Sequence, residues 1–378
     1  MRLNSFDEWS RLREVILGSG TNYSDHVRDL SFEMFFSDNV SGSRGYYPRI
    51  GAKADTDVDA HRRVAIKKRY VEELIEDIEG IAAAMTSLSI TVHRPLELDS
   101  ASMRVSTPAW SAPVTPPLNV RDNTLILGDE IIETPPMLRA RYFETKLLAP
   151  AFMHYFAQGA RWSVMPRPMM TDASFDPSYV ESTAPNTEAP LDPQPSSYDV
   201  GLEMMLDGAQ CLRLGRDVVV NISTANHAMA CEWLERHFEG RFRFHRIHRL
   251  TDNHIDSAVL ALRPGTLLVR SMQVLDYLPP ALQKWDAIVP PPPDLDGFPK
   301  YDDDDLILAS PYIDLNVLSI DEQTVMVNEA STALIRELER NRFTVVPVRH
   351  RHRRIFGGGL HCFTLDTVRD GGPEDYLV

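Results

Sequence analysis

The stretch GGGLHCFT at residues 357–364 leads into the last strand-like run of the chain, Cys362 to Val368. Three consecutive glycines put no side chain beside the backbone, so another molecule can approach the chain closely there. The N-terminal strand, Glu14 to Gly18, lacks the hairpin partner that later parts of the chain have. The last strand would supply that partner, and the pairing of the two strands would close the fold into a ring.

A repeated pattern of strand, helix and strand supports this ring. In most repeats a tight turn and a further strand come first, so each unit reads as a hairpin, a helix and a closing strand. Internal repetition of this kind is typical of an array or a propeller. An open doubly wound sheet also alternates strands and helices, but repeated hairpins do not fit an all-parallel sheet. The sequence therefore predicts an α/β fold, a five-bladed propeller of pseudo-symmetric ββαβ modules, formed as one domain by residues 1–378. The five units span residues 14–93, 123–165, 217–245, 266–289 and 324–346.

Composition and charge narrow the class of protein. The chain has 378 residues, of which 43% are hydrophobic and 25% charged, enough to bury a large core. Its formal net charge of −15 argues against nucleic-acid and anionic-membrane partners, so the basic run at residues 349–354 is predicted to be a solvated loop. No apolar run is long enough to span a bilayer, and the N-terminus lacks a signal peptide's apolar core. Three cysteines without paired spacing suit a reducing cytoplasm and predict neither a disulfide framework nor a zinc site.

Candidate chemical groups fall at the starts of the predicted hairpins. If the units are pseudo-symmetric, these starts face one central cavity. His254 and Asp256 are two residues apart, so on a strand they share one face. A cysteine nucleophile needs an acid or base near its sulfur, since only the thiolate attacks. Cys362 and His254 are the candidate pair, although a buried and inert thiol is the common alternative. The hairpin starts are Asp207-Gly208-Ala209-Gln210, His254-Ile255-Asp256, Ser310-Pro311-Tyr312 and His361-Cys362.

With these residues in place, the chain resembles the amidinotransferases, in particular the glycine and inosamine-phosphate amidinotransferases. The most specific matches are the triplet at residues 254–256 and GGGLHC at residues 357–362. Matches of a mainly structural kind lie at residues 8–9, 14–18, 121–122, 128–133 and 213–217. The family fold is a pentein-like α/β propeller of five modules, in agreement with the repeat count.

The resemblance implies a reaction and a role for each candidate residue. Cys362 would attack the guanidinium carbon of a donor such as arginine, giving a covalent amidino-cysteine and ping-pong kinetics. His254 would protonate the departing amine and deprotonate the incoming one, while Asp122 and Asp256 would hold the paired N–H groups of the guanidinium. Ser310 is a further candidate substrate contact.

The resemblance also implies partners and setting. No metal or organic cofactor is required. The partners are a small-molecule guanidine donor and an amine acceptor, and a homodimer is allowed. The implied setting is the biosynthesis of specialised metabolites, such as antibiotics, in the cytoplasm.

Three positions depart from the family pattern. Gln210 stands where the family has an aspartate that orients the histidine, and a neutral amide there would lower the pKa of His254 and move the activity optimum to alkaline pH. Asp207, three residues earlier, would face the other way on a regular strand unless a bulge turned it. Gln273 aligns with the arginine that pairs with the substrate carboxylate in glycine amidinotransferase, and Asn253 replaces an apolar residue. Both are therefore candidate substrate-binding residues.

Two alternatives stay open at this point. Water could replace the acceptor amine, which would make the protein a guanidine hydrolase like the deiminases of the same superfamily. Alternatively, the protein could bind a guanidine without turning it over, if Gln210 had removed the acid–base relay. The intact set of Cys362, His254 and Asp256 favours the transferase.

Overall fold

The computed structural model describes residues 1–37, 62–175, 203–251, 254–302 and 305–377. Within these ranges the strands are β1 Leu12–Leu17, β2 Asp25–Arg28, β3 Arg62–Ala65, β4 Thr91–His93, β5 Arg104–Ser106, β6 Ser111–Pro113, β7 Thr124–Leu127, β8 Glu130–Glu133, β9 Arg161–Val164, β10 Cys211–Leu214, β11 Asp217–Ile222, β12 Arg243–His248, β13 Val259–Arg263, β14 Thr266–Val269, β15 Asp286–Ile288, β16 Leu318–Asp321, β17 Thr324–Asn328, β18 Thr344–Val348 and β19 Thr364–Arg369. The α-helices there are α1 Leu30–Ser37, α2 Lys68–Ser87, α3 Glu144–Leu147, α4 Ala149–Ala157, α5 Ala225–His237, α6 Thr332–Arg340 and α7 Arg353–Phe356. None of these helices is both long and apolar enough to cross a lipid bilayer.

Five three-stranded sheets carry most of the described fold. Their strand orders are β19-β1-β4, β7-β8-β9, β10-β11-β12, β13-β14-β15 and β16-β17-β18. In each sheet the middle strand pairs antiparallel with the strand named first and parallel with the strand named last. A parallel pair needs a crossover connection. Four sheets make it through an α-helix, and the β13-β14-β15 sheet makes it through the 3-10 helices Met272–Tyr277 and Leu282–Lys284.

The first and last strands of the chain lie side by side, as predicted. In the antiparallel β1–β19 pair, Leu12 is opposite Arg369 and Leu17 is opposite Thr364. The strand begins at Thr364 rather than at Cys362, because the chain is still turning at residues 360–363. The nucleophile candidate therefore lies in the turn that leads into the last strand.

Contacts between neighbouring sheets run around the molecule and return to the first sheet. β19 contacts β7, which also contacts the 3-10 helix Gly208–Gln210 just ahead of β10, and β10 contacts β13. The 3-10 helices Ile255–Ser257 and Pro311–Leu315, ahead of β13 and β16, contact each other, and β16 contacts β1. The sheets remain separate and do not hydrogen-bond into one closed sheet. The fold is mixed α/β, and the starts of its hairpins are in contact.

Apolar packing holds each sheet against its crossover. Helix α2 shows this most clearly, because Leu74, Ile78 and Ile81 are buried against Leu12 and Val15 of β1. Strands β7, β10 and β11 are buried along their whole length, as expected for sheets covered on both faces. Full burial of such an aliphatic side chain stabilises the fold by roughly 1.5–3 kcal/mol, so these rows supply most of the stability of the modules.

A cluster of buried charges joins several modules beneath the last turn. Arg213 of β10 makes two 2.8 Å hydrogen bonds to Glu8 and one of 2.6 Å to Asp366 of β19. Arg121 pairs with the other oxygen of Asp366. The Nε of Arg121 also donates to two backbone carbonyls of the turn at residues 361–364, at 2.9 and 3.0 Å. The cluster thus fixes the turn before β19 to three other parts of the chain.

Removing the central cation of this cluster should destabilise the fold. In Arg213→Met, Glu8 and Asp366 would stay buried with less compensating charge, and breaking such a pair costs about 3–5 kcal/mol. The exposed pair of Arg13 with Asp370 is the control, and Arg13→Met should leave the unfolding midpoint unchanged. Urea unfolding followed by circular dichroism compares the two variants. Equal unfolding midpoints would show that the cluster does not stabilise the protein.

Candidate active site

The nucleophile candidate lies in a turn shaped by glycine. Helix α7 ends at Gly357, whose φ of +65° is the left-handed conformation that glycine adopts at helix ends. A side chain at Gly359 would place its Cβ 2.5 Å from the Cβ of Asn316, so the turn can pack this closely only with glycine. The side chain of Asn316 accepts a 2.9 Å hydrogen bond from the backbone N–H of Cys362. Cys362 is thereby held in place with only 3% of its surface exposed.

A histidine and an aspartate from two neighbouring modules form the acid–base pair of the site. His254 Nε2 lies 2.8 Å from Asp207 Oδ2, and both residues are buried. Each lies immediately ahead of a 3-10 helix that leads into a strand, Gly208–Gln210 before β10 and Ile255–Ser257 before β13. The contact between these hairpin starts therefore positions the pair.

The prediction that Gln210 orients His254 is wrong, since Asp207 makes this contact. The side-chain oxygen of Gln210 accepts from the backbone N–H of Asp207 at 2.9 Å, and its amide nitrogen donates to the carbonyl of Asn221 at 2.9 Å. The error came from treating residues 207–210 as a strand with alternating side chains. They form a 3-10 turn, in which Asp207 is the residue before the first turn and Gln210 caps back onto it. Gln210 therefore supports the aspartate from behind.

The predicted lowering of the His254 pKa is also wrong. Burial alone would lower this pKa, but the carboxylates of Asp122 and Asp207 outweigh it and raise the pKa to about 9. An anion next to a ring favours its protonated form. His254 is thus a cation at neutral pH and holds a proton that it can donate.

Two further carboxylates line the site and each has an unused oxygen. Asp122 Oδ2 accepts a 2.6 Å hydrogen bond from Arg141, and Asp256 Oδ2 accepts one of 2.8 Å from His361. Oδ1 of both aspartates is buried with no hydrogen-bond partner. Leaving such an acceptor unpaired in a buried site is costly. A planar cation with paired N–H groups is the kind of ligand that would satisfy both atoms.

The nucleophile candidate is a thiol in this environment. Burial raises the pKa of Cys362 well above its ordinary value, and the negative charges of Asp256 and Asp122 raise it further. The sulfur lies 3.6 Å from Asp256 Oδ2, to which the thiol can donate. Attack therefore requires a change of charge in the site, which a bound cation would bring.

Two adjoining cavities open on these groups. The smaller one brings together four of the predicted residues, Cys362, His254, Asp256 and Ser310. The second has about 990 Å³ of non-atom space, part of it open to solvent, and is lined by Asp122 among others. Both cavities share His254 and Gly357. A substrate can therefore react at Cys362 while another part of it extends into the second cavity.

Comparison with known proteins places this site in a family. No family model matches the chain. Among curated proteins, inosamine-phosphate amidinotransferase 1 of Streptomyces griseus is 31% identical to it over 98% of this chain and 97% of the relative. The chain belongs to the amidinotransferase family. It is also 29% identical to the mitochondrial glycine amidinotransferase of Gallus gallus, over 99% of this chain and 84% of the relative.

A solved structure supports the same assignment. The amidinotransferase SxtG of Microseira wollei, whose title places it in the saxitoxin biosynthetic pathway, superposes with a TM-score of 0.80. It is 27% identical, and the match covers 99% of each chain. The resemblance stated from the sequence is thus confirmed at the level of the family and of amidinotransferase activity.

The remaining predicted residues of this amidinotransferase have different surroundings. Ser310 is buried and accepts a hydrogen bond from the backbone N–H of Tyr312 at 3.2 Å. Gln273 is exposed on the 3-10 helix Met272–Tyr277 and lines neither cavity. Asn253 lies outside the described residues. Among these three, Ser310 is the residue that the fold brings to the nucleophile.

Two residues of the site were not predicted from the sequence. Arg141 holds Asp122, and Asn316 holds the backbone of Cys362. Neither belongs to a recognisable motif, and each reaches its partner only through the fold. Polar residues directly after apolar runs were the one available signal, and that signal is too common to single them out.

Two groups of side chains in the described part of the amidinotransferase could in principle hold a metal ion. Asp122, Asp207 and His254 place ligand atoms within 4.8 Å of one another in the site, and so do Glu14, His93 and His154 outside it. In the first group the carboxylates already face a protonated imidazole and Arg141. This arrangement balances charge without a metal and equally suits an organic cation. The prediction of no metal stays a prediction.

Proposed function

We propose that this amidinotransferase moves the amidino group of arginine, or of a related guanidine, to an amine through a covalent intermediate on Cys362. The observation that carries the proposal is the pair of unsatisfied buried oxygens on Asp122 and Asp256, beside Cys362 and the protonated His254. A guanidinium bound to them would present its central carbon to the sulfur. Positioning of this kind supplies much of the rate of a two-substrate reaction.

Donor binding prepares the nucleophile. A guanidinium placed against Asp122 and Asp256 cancels part of the negative charge that raises the pKa of Cys362. The thiol then loses its proton more easily, and Asp256 Oδ2 at 3.6 Å is an acceptor for it. The substrate's own charge thus helps to generate the thiolate.

In the first half-reaction the sulfur of Cys362 forms a bond to the guanidinium carbon. The proton of His254 passes to the departing nitrogen, the carbon–nitrogen bond breaks, and ornithine leaves as an amine. Cys362 then carries the amidino group and His254 is neutral. Asp207 stabilises the protonated imidazole before the transfer and fixes the ring orientation throughout.

The second half-reaction reverses these events with another amine. Neutral His254 takes a proton from the incoming amine, whose nitrogen attacks the amidino carbon. The carbon–sulfur bond breaks and the thiolate of Cys362 leaves. Sulfur and imidazole return to the states that they had before attack, as ping-pong kinetics require.

The activity should depend on pH as a bell-shaped curve with an alkaline optimum. kcat/KM for arginine should rise with pH as the Cys362 thiol deprotonates, because its pKa lies above the ordinary range. It should fall above about pH 9, where His254 loses the proton that the leaving amine needs. Initial rates from neutral to strongly alkaline pH test this, with the rate of thiol alkylation as an independent measure of the thiolate. An optimum on the acid side of neutrality would contradict the assigned protonation states.

Product analysis tests the function itself. The protein is incubated with arginine and a panel of amines, and the mixture is analysed by mass spectrometry. The proposal expects ornithine, an amidinated acceptor and an amidino adduct on the peptide that contains Cys362. Citrulline and ammonia formed without an acceptor would indicate a hydrolase instead. Binding of arginine without adduct or product would indicate a protein that only binds guanidines.

The finer points of architecture and setting belong to the same proposal. The five sheets would be the modules of a pentein-like five-bladed propeller, a single domain over residues 1–378, and the closed series of contacts between modules supports this. We expect a cytoplasmic enzyme of specialised-metabolite biosynthesis, in line with the names of its relatives. A crystal structure tests the propeller, and light scattering tests whether the protein is a homodimer.

A further inference from the structure

We propose that His26 binds the acceptor substrate, and that this substrate carries a second hydrogen-bond donor, a hydroxyl or an ammonium, besides its reacting amine. The inference rests on the proposed function, because an acceptor exists only if the amidino group is transferred. It places the reacting amine at Cys362 and His254, and the rest of the acceptor in the second cavity.

His26 is fixed beside the turn that carries the nucleophile. It lies on β2, is only 4% exposed and lines the second cavity together with His254 and Gly357. Its imidazole makes a hydrogen bond to the backbone of Ile355, two residues before Gly357. Since Nε2 is buried and has no hydrogen-bond partner, Nδ1 is the atom that makes this bond.

This anchoring leaves Nε2 of His26 as a free acceptor. A neutral imidazole has one N–H donor and one acceptor nitrogen, and the donor is used on the carbonyl of Ile355. Burial lowers the pKa of His26 to about 4, which keeps the ring neutral at physiological pH. A ligand N–H or O–H would satisfy Nε2, whereas a carboxylate offers only lone pairs and would not.

The charged groups of the same cavity favour the same kind of ligand. Asp25, Asp29 and Asp122 contribute three carboxylates to its lining. The guanidinium of Arg141, which also lines it, already donates to Asp122 at 2.6 Å and to Glu144 at 2.6 and 2.9 Å. Such a cavity suits a hydroxyl or ammonium better than the carboxylate end of an amino acid such as arginine. The acceptor is therefore a better ligand for it than the tail of the donor.

Four amines of similar length separate these possibilities: butylamine, aminobutanol, putrescine and γ-aminobutyrate. With arginine at saturation, kcat/KM for aminobutanol or putrescine should exceed that for butylamine about 10-fold, because either terminal group can pair with Nε2. The better of the two tells whether the hydroxyl or the ammonium is preferred. γ-Aminobutyrate should be the poorest of the four.

Two variants connect this preference to His26. His26→Phe should abolish the advantage over butylamine and leave kcat/KM for butylamine within about twofold, since butylamine makes no such hydrogen bond. His26→Gln should retain part of the advantage, because its amide oxygen can accept. The burst of ornithine from arginine alone should be the same in both variants as in the wild type.

Other outcomes would overturn the proposal. An equal loss on all four amines, or a weaker ornithine burst in His26→Phe, would mean that His26 is structural or binds the donor. If the wild type gives no burst, the proposed function itself has failed. Calorimetric titration of aminobutanol into wild type and His26→Phe then decides the inference, and equal affinities would refute it.

Discussion

Replacing Cys362 by serine is expected to abolish amidino transfer, with a loss of more than about 10⁴-fold in kcat. The hydroxyl is a weaker nucleophile than the thiol, and the carboxylates of Asp122 and Asp256 would oppose its ionisation even more strongly. Mass spectrometry should find no amidino adduct on the variant after incubation with arginine. Arginine should still bind, because both carboxylates are intact, and calorimetry measures this separately.

Cys231 supplies the matched control. It is buried on α5, its pKa is also raised by burial, and it lines neither cavity. Cys231→Ser should therefore keep the adduct and most of the activity. If Cys362→Ser still formed ornithine at a comparable rate, the transfer would proceed directly between donor and acceptor without a cysteine intermediate.

Replacing Asp207 by asparagine is expected to lower kcat by about 10²–10⁴-fold, the range seen when a buried aspartate behind a catalytic histidine is neutralised. The shape of the side chain is nearly unchanged, but the anion that helps to raise the pKa of His254 is gone. The falling limb of the pH–rate curve should therefore move to lower pH. A pH profile of kcat/KM separates this electrostatic effect from simple misfolding, which would scale the whole curve down.

Two variants serve as controls for Asp207. Asp217→Asn makes the same change at another buried aspartate, 2.7 Å from His245 and outside both cavities, and should not move the curve. Gln210→Asp tests the interpretation from sequence, under which a new carboxylate would shift the optimum toward neutrality and raise the rate. We expect no such gain, because the side chain of Gln210 faces the backbone of Asp207 and Asn221.

The fold was largely predictable because its main signal is repetition. Hairpins, crossovers and the pairing of β1 with β19 follow from apolar runs and turns that recur along the chain. The geometry of the site was less predictable because it depends on short 3-10 turns at the hairpin starts. One such turn changes which side chain of residues 207–210 reaches His254, and strand alternation cannot show this.

The basic run at residues 349–354 shows a second limit. It was predicted to be a solvated loop, but His350, His352 and Arg353 are buried. Arg351 and His352 meet carboxylates of α2, and Arg353 meets Asp314. These partners lie far away in the sequence, so local composition gives no indication of them. Net charge correctly argued against nucleic acid but says nothing about burial.

The pairing of the first strand with the last has a consequence for how the enzyme is made. Residues 12–17 leave the ribosome early, yet their antiparallel partner at residues 364–369 is synthesised almost at the end. Contacts so distant in sequence slow folding, because a long loop must close before they form. The turn that carries Cys362 is anchored through this sheet and the charge cluster beneath it. A nascent or C-terminally truncated chain therefore has no positioned nucleophile, and reactivity toward guanidines arises only when the complete polypeptide closes.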